Sequence, residues 1–368
     1  MTFGAGGSEH DPAIDWDGRT LTYAEFDAAV EQWPEAAVHD ASELDVPQAL
    51  ICVFAAAAQG AAVRVEDARA RPIRPSIPDG ACLLIGTSGS TGTPRPLART
   101  AASWADSFDE FTRSTGITAA DRVLLTGPLH ATMHLFAAVH ALWLGACVTD
   151  DPATATATHA VPAVLRTTVG EAPNLRVAVV AGTSLDAGAQ ATAGHIRLVE
   201  YYGAAELSLV AVRVVPEPLR LLGGVEAEIR DGLLFVRSPY RVLGVDEWVG
   251  VGDLAELGPD GELVVHGRGS AAVDVGGTTV IAEDVERVLE SFDGVRGAAV
   301  IGEPHAVLGQ TVAAVLEVEA AADLALIKVR ARAELQKEAV PRRWTVVDEL
   351  PRTGSGKIAR ARVKDSLA

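Results

Sequence analysis

Short apolar segments of strand length alternate with helical segments through the first two thirds of the chain. The strand candidates include Ala81–Ile85, Arg122–Thr126, Arg176–Val180 and Arg197–Tyr201, and a helical stretch spans Ala101–Arg113. Strands that alternate with helices are typical of an α/β domain, because each helix covers one face of the sheet. The sequence therefore predicts a large N-terminal α/β domain.

After His266 the alternation starts again on a smaller scale. The predicted elements of this part are a helix at Ala282–Ser291, strands at Ala298–Ile301 and Val312–Val318, a helix at Leu324–Leu335 and a strand at Arg343–Val347. About a hundred residues of this kind suit a small α+β domain. We place the boundary near Gly267–Ala271, which gives domains over residues 1–267 and 268–368.

The charge balance excludes several classes of partner. The chain carries 49 acidic and 31 basic residues, a formal net charge of −18. Nucleic acids and anionic membrane surfaces attract basic proteins, so neither is an expected partner. The longest apolar runs, Ala49–Ala58 and Leu135–Val148, are too short for a bilayer span, which argues against stable membrane insertion.

The expected location is the cytoplasm. Met1–Pro12 lacks the cationic and apolar segments of a signal peptide. The three cysteines are odd in number, and each lies among apolar neighbours. Such cysteines indicate reduced, buried thiols rather than disulfides or a metal site.

A loop rich in glycine and hydroxyl residues, Gly86–Pro94, directly follows the apolar strand Ala81–Ile85. Glycines let backbone N–H groups turn toward an anion, and hydroxyls add donors, so the loop suits a polyphosphate. The same composition is typical of a flexible linker, but the position after a buried strand favours an anion site. It is not a Walker loop, because no Gly-Lys-Ser/Thr closes it.

This loop carries the first resemblance to a known family. Thr87–Pro94 resembles the phosphate-binding signature of the adenylate-forming enzymes, which include acyl-CoA synthetases, nonribosomal adenylation domains and luciferases. The resemblance implies that ATP is bound by Thr87, Ser88, Gly89, Ser90, Thr91 and Gly92. The family usually has lysine after the proline, where this chain has Arg95, a cation of different shape that we include among the ATP-binding residues.

The segment Tyr202–Glu206 resembles the second signature of the family, with Ala205 in place of the usual threonine. The resemblance implies that Tyr202, Gly203 and Ala204 bind the nucleotide, with the aromatic ring against adenine. It also implies a catalytic role for Glu206 as a ligand of Mg²⁺, which prefers hard oxygen donors. Upstream, Gly182 belongs to a small-residue turn similar to the one that the family packs beside adenine.

Three further segments resemble family signatures in the family's order. Val251–Asp253 is similar to a Thr-Gly-Asp signature, which implies that Asp253 accepts hydrogen bonds from the ribose hydroxyls. Gly267-Arg268 resembles the domain junction, so Arg268 is a nucleotide-binding candidate. Gly276 and Gly277 resemble a mobile glycine loop that guides CoA.

The segment Pro351–Arg360 resembles the C-terminal signature that delivers the catalytic lysine. The resemblance implies that Lys357 stabilises the charge that develops when a carboxylate attacks the α-phosphate of ATP. A basic loop near a chain end is also typical of a solvated tail. Lys357, however, is one of only four lysines in a chain that otherwise uses arginine, and Gly354 and Gly356 precede it, so we favour the catalytic role.

The acyl group is expected near Gly127–His130, which resembles the family segment that lines the acyl pocket. His130 or His134 is the gate residue, and the sequence does not choose between them. Met133, Phe136 and Trp143 make the surroundings apolar, which favours a fatty or aryl acid over an amino acid.

The predicted activity follows from these resemblances. ATP, with Mg²⁺, activates a fatty or aryl carboxylic acid to acyl-AMP with release of pyrophosphate, and the acyl group then passes to the thiol of CoA. The chain is shorter than most members and similar in size to the short bacterial acyl-CoA and o-succinylbenzoate–CoA ligases. A mobile C-terminal domain is implied.

Three alternatives stay open. In the first, the acceptor is the phosphopantetheine of a carrier protein, and in the second the chain is an o-succinylbenzoate–CoA ligase. In the third, the chain is a nucleotide-binding protein whose catalysis has decayed, which would explain the departures at Arg95, Ala205, Val251 and Ser270.

Overall fold

The structure is a computed structural model of the chain. It describes residues 3–68, 76–87, 95–182, 185, 187–268, 272–275, 278–305, 308–352 and 358–367. The chain forms two compact units. The first comprises Met1–Leu185, Ala189–Glu226 and Val236–Val249, and the second comprises Asp186–Gly188, Ala227–Phe235 and Gly250–Ala368. The predicted boundary between residues 267 and 268 stays a prediction.

A nine-stranded sheet is the centre of the first unit. Its strands, from one edge to the other, are β13 (Arg220–Leu221), β12 (Ser208–Val214), β11 (Arg197–Ala204), β10 (Val177–Val180), β9 (Ala157–Ala160), β7 (Arg122–Leu125), β8 (Cys147–Thr149), β1 (Pro12–Trp16) and β2 (Arg19–Thr22). The strands from β11 to β1 pair in parallel, and β2, β12 and β13 are antiparallel additions. This sheet confirms the predicted α/β class.

A second, smaller sheet in the first unit carries the predicted phosphate loop. It contains β3 (Val38–Asp40), β4 (Ala62–Val65), β5 (Leu83–Thr87) and β6 (Arg95–Arg99) in that order. Strands β5 and β6 are antiparallel, with Thr87 opposite Arg95. The predicted loop therefore connects the two strands of a hairpin. Strand β6 was not predicted, because it contains Pro96 and two arginines, which strands seldom favour.

The helices of the first unit are α1 (Tyr23–Glu31), α2 (Val46–Gln59), α3 (Ala102–Thr115), α4 (Thr132–Leu144), α5 (Pro162–Glu171) and α6 (Ala187–Ala193, which begins in the second unit's residues). A capping box between Thr22 and Glu25 fixes the start of α1. Helices α3 and α4 pack through aromatic rings. The ring centroid of Phe136 lies 5.5 Å from that of Phe108 and 5.1 Å from that of Phe111. No helix in the described ranges is long and apolar enough to cross a membrane.

The remaining strands form two sheets. Strands β14 (Glu226–Arg230), β15 (Leu233–Arg237), β16 (Val249–Leu257) and β17 (Leu263–Arg268) form a four-stranded sheet, most of whose residues belong to the second unit. A five-stranded sheet follows, with β18 (Ala272–Val275), β19 (Thr278–Ile281), β20 (Val295–His305), β21 (Gly309–Val318) and β22 (Arg343–Val347).

Three helices accompany the five-stranded sheet, α7 (Ala282–Glu290), α8 (Leu324–Glu334) and α9 (Arg360–Leu367). The core of this part includes Val285, Leu289, Val300 and Ile327, each at most 2% exposed. All five elements predicted between residues 282 and 347 are present, but β20 extends well beyond the predicted strand Ala298–Ile301 at both ends. The repeated α+β pattern after His266 is therefore confirmed, although β19 and α9 were missed.

Candidate active site

Several predicted site residues lie at one edge of the nine-stranded sheet. Strands β7, β9, β10 and β11 are adjacent and parallel, so their carboxyl ends meet at the same edge. Gly127 follows β7, Gly182 follows β10 with φ of 93°, and Glu206 follows β11. Open α/β sheets bind ligands beyond the carboxyl ends of their strands. The structure thus brings together predicted residues that are separated widely in the sequence.

A tight hairpin presents Glu206 at this edge. Strand β11 turns into β12 through residues 205–207, with Tyr202 opposite Ala211, Gly203 opposite Leu209 and Ala204 opposite Ser208. A Cβ atom on Gly203 would lie 2.2 Å from the carbonyl oxygen of Ser208, so only glycine fits. The close approach of the two strands therefore explains why position 203 of this predicted nucleotide-binding segment is glycine. Glu206 is half-buried in the turn that follows.

A buried arginine, Arg99, fixes this turn. Arg99 is 0% exposed, and its guanidinium donates hydrogen bonds to the carbonyl oxygens of Tyr240 at 2.7 Å and Ala205 at 2.6 Å. It also donates to the hydroxyl of Ser103 at 3.2 Å. Burial lowers the pKa of Arg99 to about 9, and the negative charge of Glu206 opposes that change. The side chain therefore remains a cation at neutral pH.

Residues 242 and 243 also connect the Glu206 turn to strand β6 through backbone hydrogen bonds. The N–H of Val242 donates to the carbonyl oxygen of Glu206 at 2.8 Å, and the N–H of Leu243 donates to Ala98 at 2.8 Å. The β5–β6 hairpin and the Glu206 turn are thus held in one hydrogen-bonded network. The sequence analysis missed Arg99. The available signal was an arginine two residues after Leu97, on the same side of β6, because side chains alternate along a strand.

The phosphate loop itself lies mostly outside the described residues. The backbones of Thr87 and Arg95 pair at the base of the hairpin. Ser88, Gly89, Ser90, Thr91 and Gly92, and the side chains of Thr87 and Arg95, are outside the described part of the chain. Their predicted roles stay predictions.

His134 lies in the first turn of α4, and its ring packs against Gly127. A Cβ atom on Gly127 would be 2.3 Å from Nε2 of His134. His134 is 7% exposed, and burial lowers its pKa to about 4, so the ring is neutral at pH 7. His130 is half-buried nearby. The choice of gate residue between the two stays open.

The apolar residues that suggested an apolar acyl group have another role. Leu135 is 0% exposed and Phe136 is 4% exposed, and Phe136 packs against the aromatic rings of α3. Core packing thus accounts for their apolar character.

The second unit contains the predicted ribose ligand. Asp253 lies in β16, is 6% exposed and stands opposite Arg268 of β17 in the strand register. Gly252, which precedes it, has φ of 83°, a conformation that glycine adopts without strain. The side chain of Arg268 and the predicted CoA-guiding residues Gly276 and Gly277 lie outside the described residues.

Lys357 also lies outside the described residues, but both ends of its loop are described. Arg352 and Ile358 form an antiparallel bridge, and the N–H of Ala359 donates to the carbonyl oxygen of Pro351 at 2.8 Å. These contacts hold Pro351–Arg352 and Ile358–Ala359 to each other, and these pairs are the described neighbours of residues 353–357 in the sequence.

Arg360, directly after Ala359, binds helix α7. Its guanidinium donates to Glu283 at 2.8 Å and to Glu286 at 3.1 Å. Glu286 also accepts a hydrogen bond from the N–H of Val300 at 2.6 Å. Arg360 thus binds two carboxylates of α7, and one of them, Glu286, also binds the backbone of β20.

The junction glycine, Gly267, touches the same cluster. Gly267 has φ of 130°, and a Cβ atom there would lie 2.7 Å from the carboxylate of Glu283. Glu283 therefore contacts the junction on one side and Arg360 on the other. This contact path lies entirely within the second unit.

The donor set suits a magnesium ion that arrives with a nucleotide. In the described ranges, no group of three or more His, Cys, Asp or Glu side chains could hold a metal ion by itself. Mg²⁺ usually binds one or two carboxylates together with substrate phosphates, not an all-protein cage. The single carboxylate of Glu206 at the sheet edge fits that pattern.

The comparisons with known proteins agree on the class. A large α/β unit with a smaller α+β unit is the architecture of the adenylate-forming enzymes. The ATP-bound structure of MatB from Rhodopseudomonas palustris superposes with a TM-score of 0.83, covering 97% of this chain and 96% of that chain at 19% identity. Residues 284–357 match the AMP-binding enzyme C-terminal domain, and this match lies within the predicted second domain.

Sequence relatives give the family. An uncharacterized acyl-CoA ligase of Bacillus subtilis, YhfT, is 30% identical over 347 residues, which are 82% of this chain and 72% of that protein. The chain belongs to the AMP-forming acyl-CoA ligase family of adenylate-forming enzymes. A medium/long-chain-fatty-acid–[acyl-carrier-protein] ligase of Mycobacterium tuberculosis, FadD10, is 35% identical over 149 residues, covering 35% of this chain and 28% of that protein.

Proposed function

We propose that the carboxyl edge of the nine-stranded sheet is the site where this ligase joins a carboxylic acid to AMP before the acyl group passes to a thiol. The observation that carries the proposal is the Arg99 network, which holds the Glu206 turn against the β5–β6 hairpin. Glu206 and strands β5 and β6, which precede and follow the candidate phosphate loop in the sequence, belong to the same unit.

In the first half-reaction, the carboxylate oxygen of the acid attacks the α-phosphorus of ATP, and pyrophosphate leaves. The loop from Thr87 to Gly92 and Arg95 binds the phosphates, Tyr202 and Gly182 flank the adenine, and Asp253 accepts hydrogen bonds from the ribose. Glu206 would hold Mg²⁺, which supplies charge neutralisation at the phosphates when bound. Lys357 stabilises the charge on the reacting phosphate.

In the second half-reaction, the CoA thiolate attacks the carbonyl carbon of acyl-AMP, and AMP leaves. Gly276 and Gly277 guide the pantetheine arm, and the small domain, residues 268–368, turns between the half-reactions. Such domain movement lets one cleft serve two steps in succession.

A carrier-protein phosphopantetheine is the second candidate acceptor. The similarity to the acyl-carrier-protein ligase FadD10, 35% identity over 149 residues, supports it. The chemistry is the same, because both acceptors present the same thiol. Transfer to a candidate carrier protein, measured against free CoA, separates the two.

We also propose a cytoplasmic location. Cys52, Cys82 and Cys147 are free and buried, and burial raises the pKa of each thiol to about 11. Protonated buried thiols suit a reducing compartment. Localisation of the tagged chain by cell fractionation tests this.

The decisive experiment measures pyrophosphate release from Mg·ATP. The panel contains fatty acids, aryl acids and dicarboxylic acids, the last to test the o-succinylbenzoate alternative, each with and without CoA. We expect release with one class of acid and faster turnover when CoA is present. ATP binding without release for any acid, with CoA or with a carrier protein, would favour the decayed nucleotide-binding alternative.

A further inference from the structure

Three buried histidines lie close together in the first unit. His134, His140 and His159 are 7%, 1% and 0% exposed. The ring of Phe111 from α3 packs on His140 at 5.0 Å and on His159 at 5.7 Å between centroids. The three imidazoles therefore occupy the layer between the nine-stranded sheet and helices α3 and α4.

Their hydrogen bonds divide them into two kinds. Nε2 of His140 bonds to Oγ1 of Thr112 at 2.8 Å. Both ring nitrogens of His159, and Nδ1 of His134, have no hydrogen-bond partner among the described residues. A buried polar atom without a partner costs about 1–3 kcal/mol, and such atoms are rare in folded proteins. Three of them on two histidines therefore need an explanation.

The position of these two histidines suggests what their partner is. His159 is the penultimate residue of β9, at the carboxyl edge where Gly182 and Glu206 also lie. His134 is in the first turn of α4 and packs against Gly127, which follows β7 at the same edge. This is the edge at which we place the substrate acid.

The surroundings of His159 select for a neutral ligand group. In the sheet, its register partners are Leu125 on β7 and Val179 on β10, which are 7% and 0% exposed. Burial lowers the pKa of His159 far below its usual value, so the ring is uncharged at neutral pH. Among such neighbours, an ionised ligand group would lie unpaired at a large cost in free energy.

A neutral imidazole offers one N–H donor and one acceptor nitrogen. A hydroxyl group needs one acceptor for its proton and has lone pairs for a donor, so it matches His159 on both counts. A purely apolar acyl group would leave the nitrogens unpaired, as they are in the free protein.

We propose that His134 and His159 bind a neutral hydrogen-bonding group, such as a hydroxyl, on the acyl part of the substrate acid. This inference rests on the proposed function, and it narrows the substrate to acids with a polar, uncharged substituent. In this proposal the two histidines contact the acyl part of the acid and not its reacting carboxylate, so both are specificity-determining residues.

The test compares acids that differ by one hydroxyl, such as benzoic acid against its hydroxylated forms and an alkanoic acid against its hydroxyalkanoic counterparts. For the wild type, we expect kcat/KM of acid-dependent pyrophosphate release to be about 100-fold or more higher for one hydroxylated member, because sites that bind a hydroxyl reject analogues without it. His159→Leu should lose this preference. It should not unfold at a lower temperature, since an apolar residue of similar size removes the unpaired nitrogens.

The control is His140→Leu, in the same cluster. It removes the partner of Thr112, so it should lower the unfolding temperature and leave the ratio between the paired acids unchanged. An equal preference in His159→Leu and wild type, or no hydroxyl preference in the wild type, would overturn the inference.

A second readout separates this inference from the proposed function. The acids alone, without ATP, are tested for the rise in unfolding temperature that binding causes. If no acid releases pyrophosphate, but a hydroxylated acid stabilises the wild type and not His159→Leu, the binding site stands and the proposed activity fails. If neither effect is seen with any hydroxylated acid, the inference is wrong.

Discussion

The guanidinium of Arg99 donates a hydrogen bond of 2.6 Å to the carbonyl oxygen of Ala205, across 106 positions of sequence. Arg99 ends the strand that follows the candidate phosphate loop, and Ala205 precedes Glu206. A fully buried cation therefore links the two halves of the proposed nucleotide site. A hydrogen bond from Arg99 to the carbonyl oxygen of Tyr240 connects a third segment of the chain to these two.

Arg99→Met should destabilise the protein and weaken ATP use together. Loss of a charged donor leaves the carbonyl oxygens of Ala205 and Tyr240 unpaired, which costs about 2–4 kcal/mol of unfolding free energy. We expect a lower urea midpoint and a raised KM for ATP. Arg99→Lys should recover only part of the loss, because an ammonium does not reproduce the guanidinium fork. The control is Arg113→Met, at an exposed position of α3. An unchanged midpoint for Arg99→Met would contradict the assignment.

Lys357→Ala should separate the two half-reactions. Loss of the cation at the reacting phosphate is expected to slow acyl-AMP formation by about 100-fold or more. Thioester formation from supplied acyl-AMP should stay near the wild-type rate. Lys364→Ala, at an exposed position of α9, is the matched control. Equal losses of rate in both half-reactions would contradict the role assigned to Lys357.

Arg360→Gln should also slow acyl-AMP formation, but by displacing the segment that contains Lys357 rather than by removing a contact with the nucleotide. Its bonds to Glu283 and Glu286 hold the residues that follow Lys357 against α7. Breaking them should lower the unfolding free energy of the second unit by about 2–3 kcal/mol, toward the low end for a buried ion pair. Adenylation should slow more than thioester formation. Arg362→Gln, exposed on the same helix, is the control. Identical behaviour of the two variants would rule out the positioning role.

The buried histidines should make the protein sensitive to acid. Burial lowers the pKa of His134 to about 4 and of His140 to about 3, from an ordinary value of 6.5, and it lowers the pKa of His159 well below that ordinary value. Between these values, the unfolded chain binds protons that the folded chain does not. The contribution of these histidines to the free energy of unfolding is therefore fully present above about pH 6.5, and it falls as the pH drops toward 4.

Urea unfolding at a series of pH values measures this effect. Each buried histidine contributes up to about 1.4 kcal/mol per pH unit. His159→Leu should reduce the slope by about that amount, and His10→Gln, at an exposed position, is the control variant. The same slope in His159→Leu and wild type would show that His159 does not remain neutral when folded.

The sequence predicted the main elements because they follow simple periodicity. Residues 123–125 of strand β7 and all of Val177–Val180 are continuous apolar runs, as expected for parallel strands covered on both faces. The strands that were missed lack this signal. Strand β14, Glu226–Arg230, has two glutamates and an arginine in five residues and is paired through its backbone.

The candidate site was predictable only where local segments carry it. Tyr202–Glu206 and Asp253 were found from short segments, and the structure puts the first at a sheet edge and the second in a buried strand position. Arg99 and Arg360 were not assigned roles, because their partners lie 74 to 141 positions away. Such partnerships depend on tertiary packing, which propensity and periodicity do not encode.

Gly267 restricts which amino-acid substitutions the chain can accept at this junction. Its positive φ and its contact with Glu283 each exclude a side chain. A larger residue at position 267 would displace the carboxylate of Glu283, which is a partner of Arg360. The effect of a substitution at the junction glycine therefore depends on the residues at positions 283 and 360.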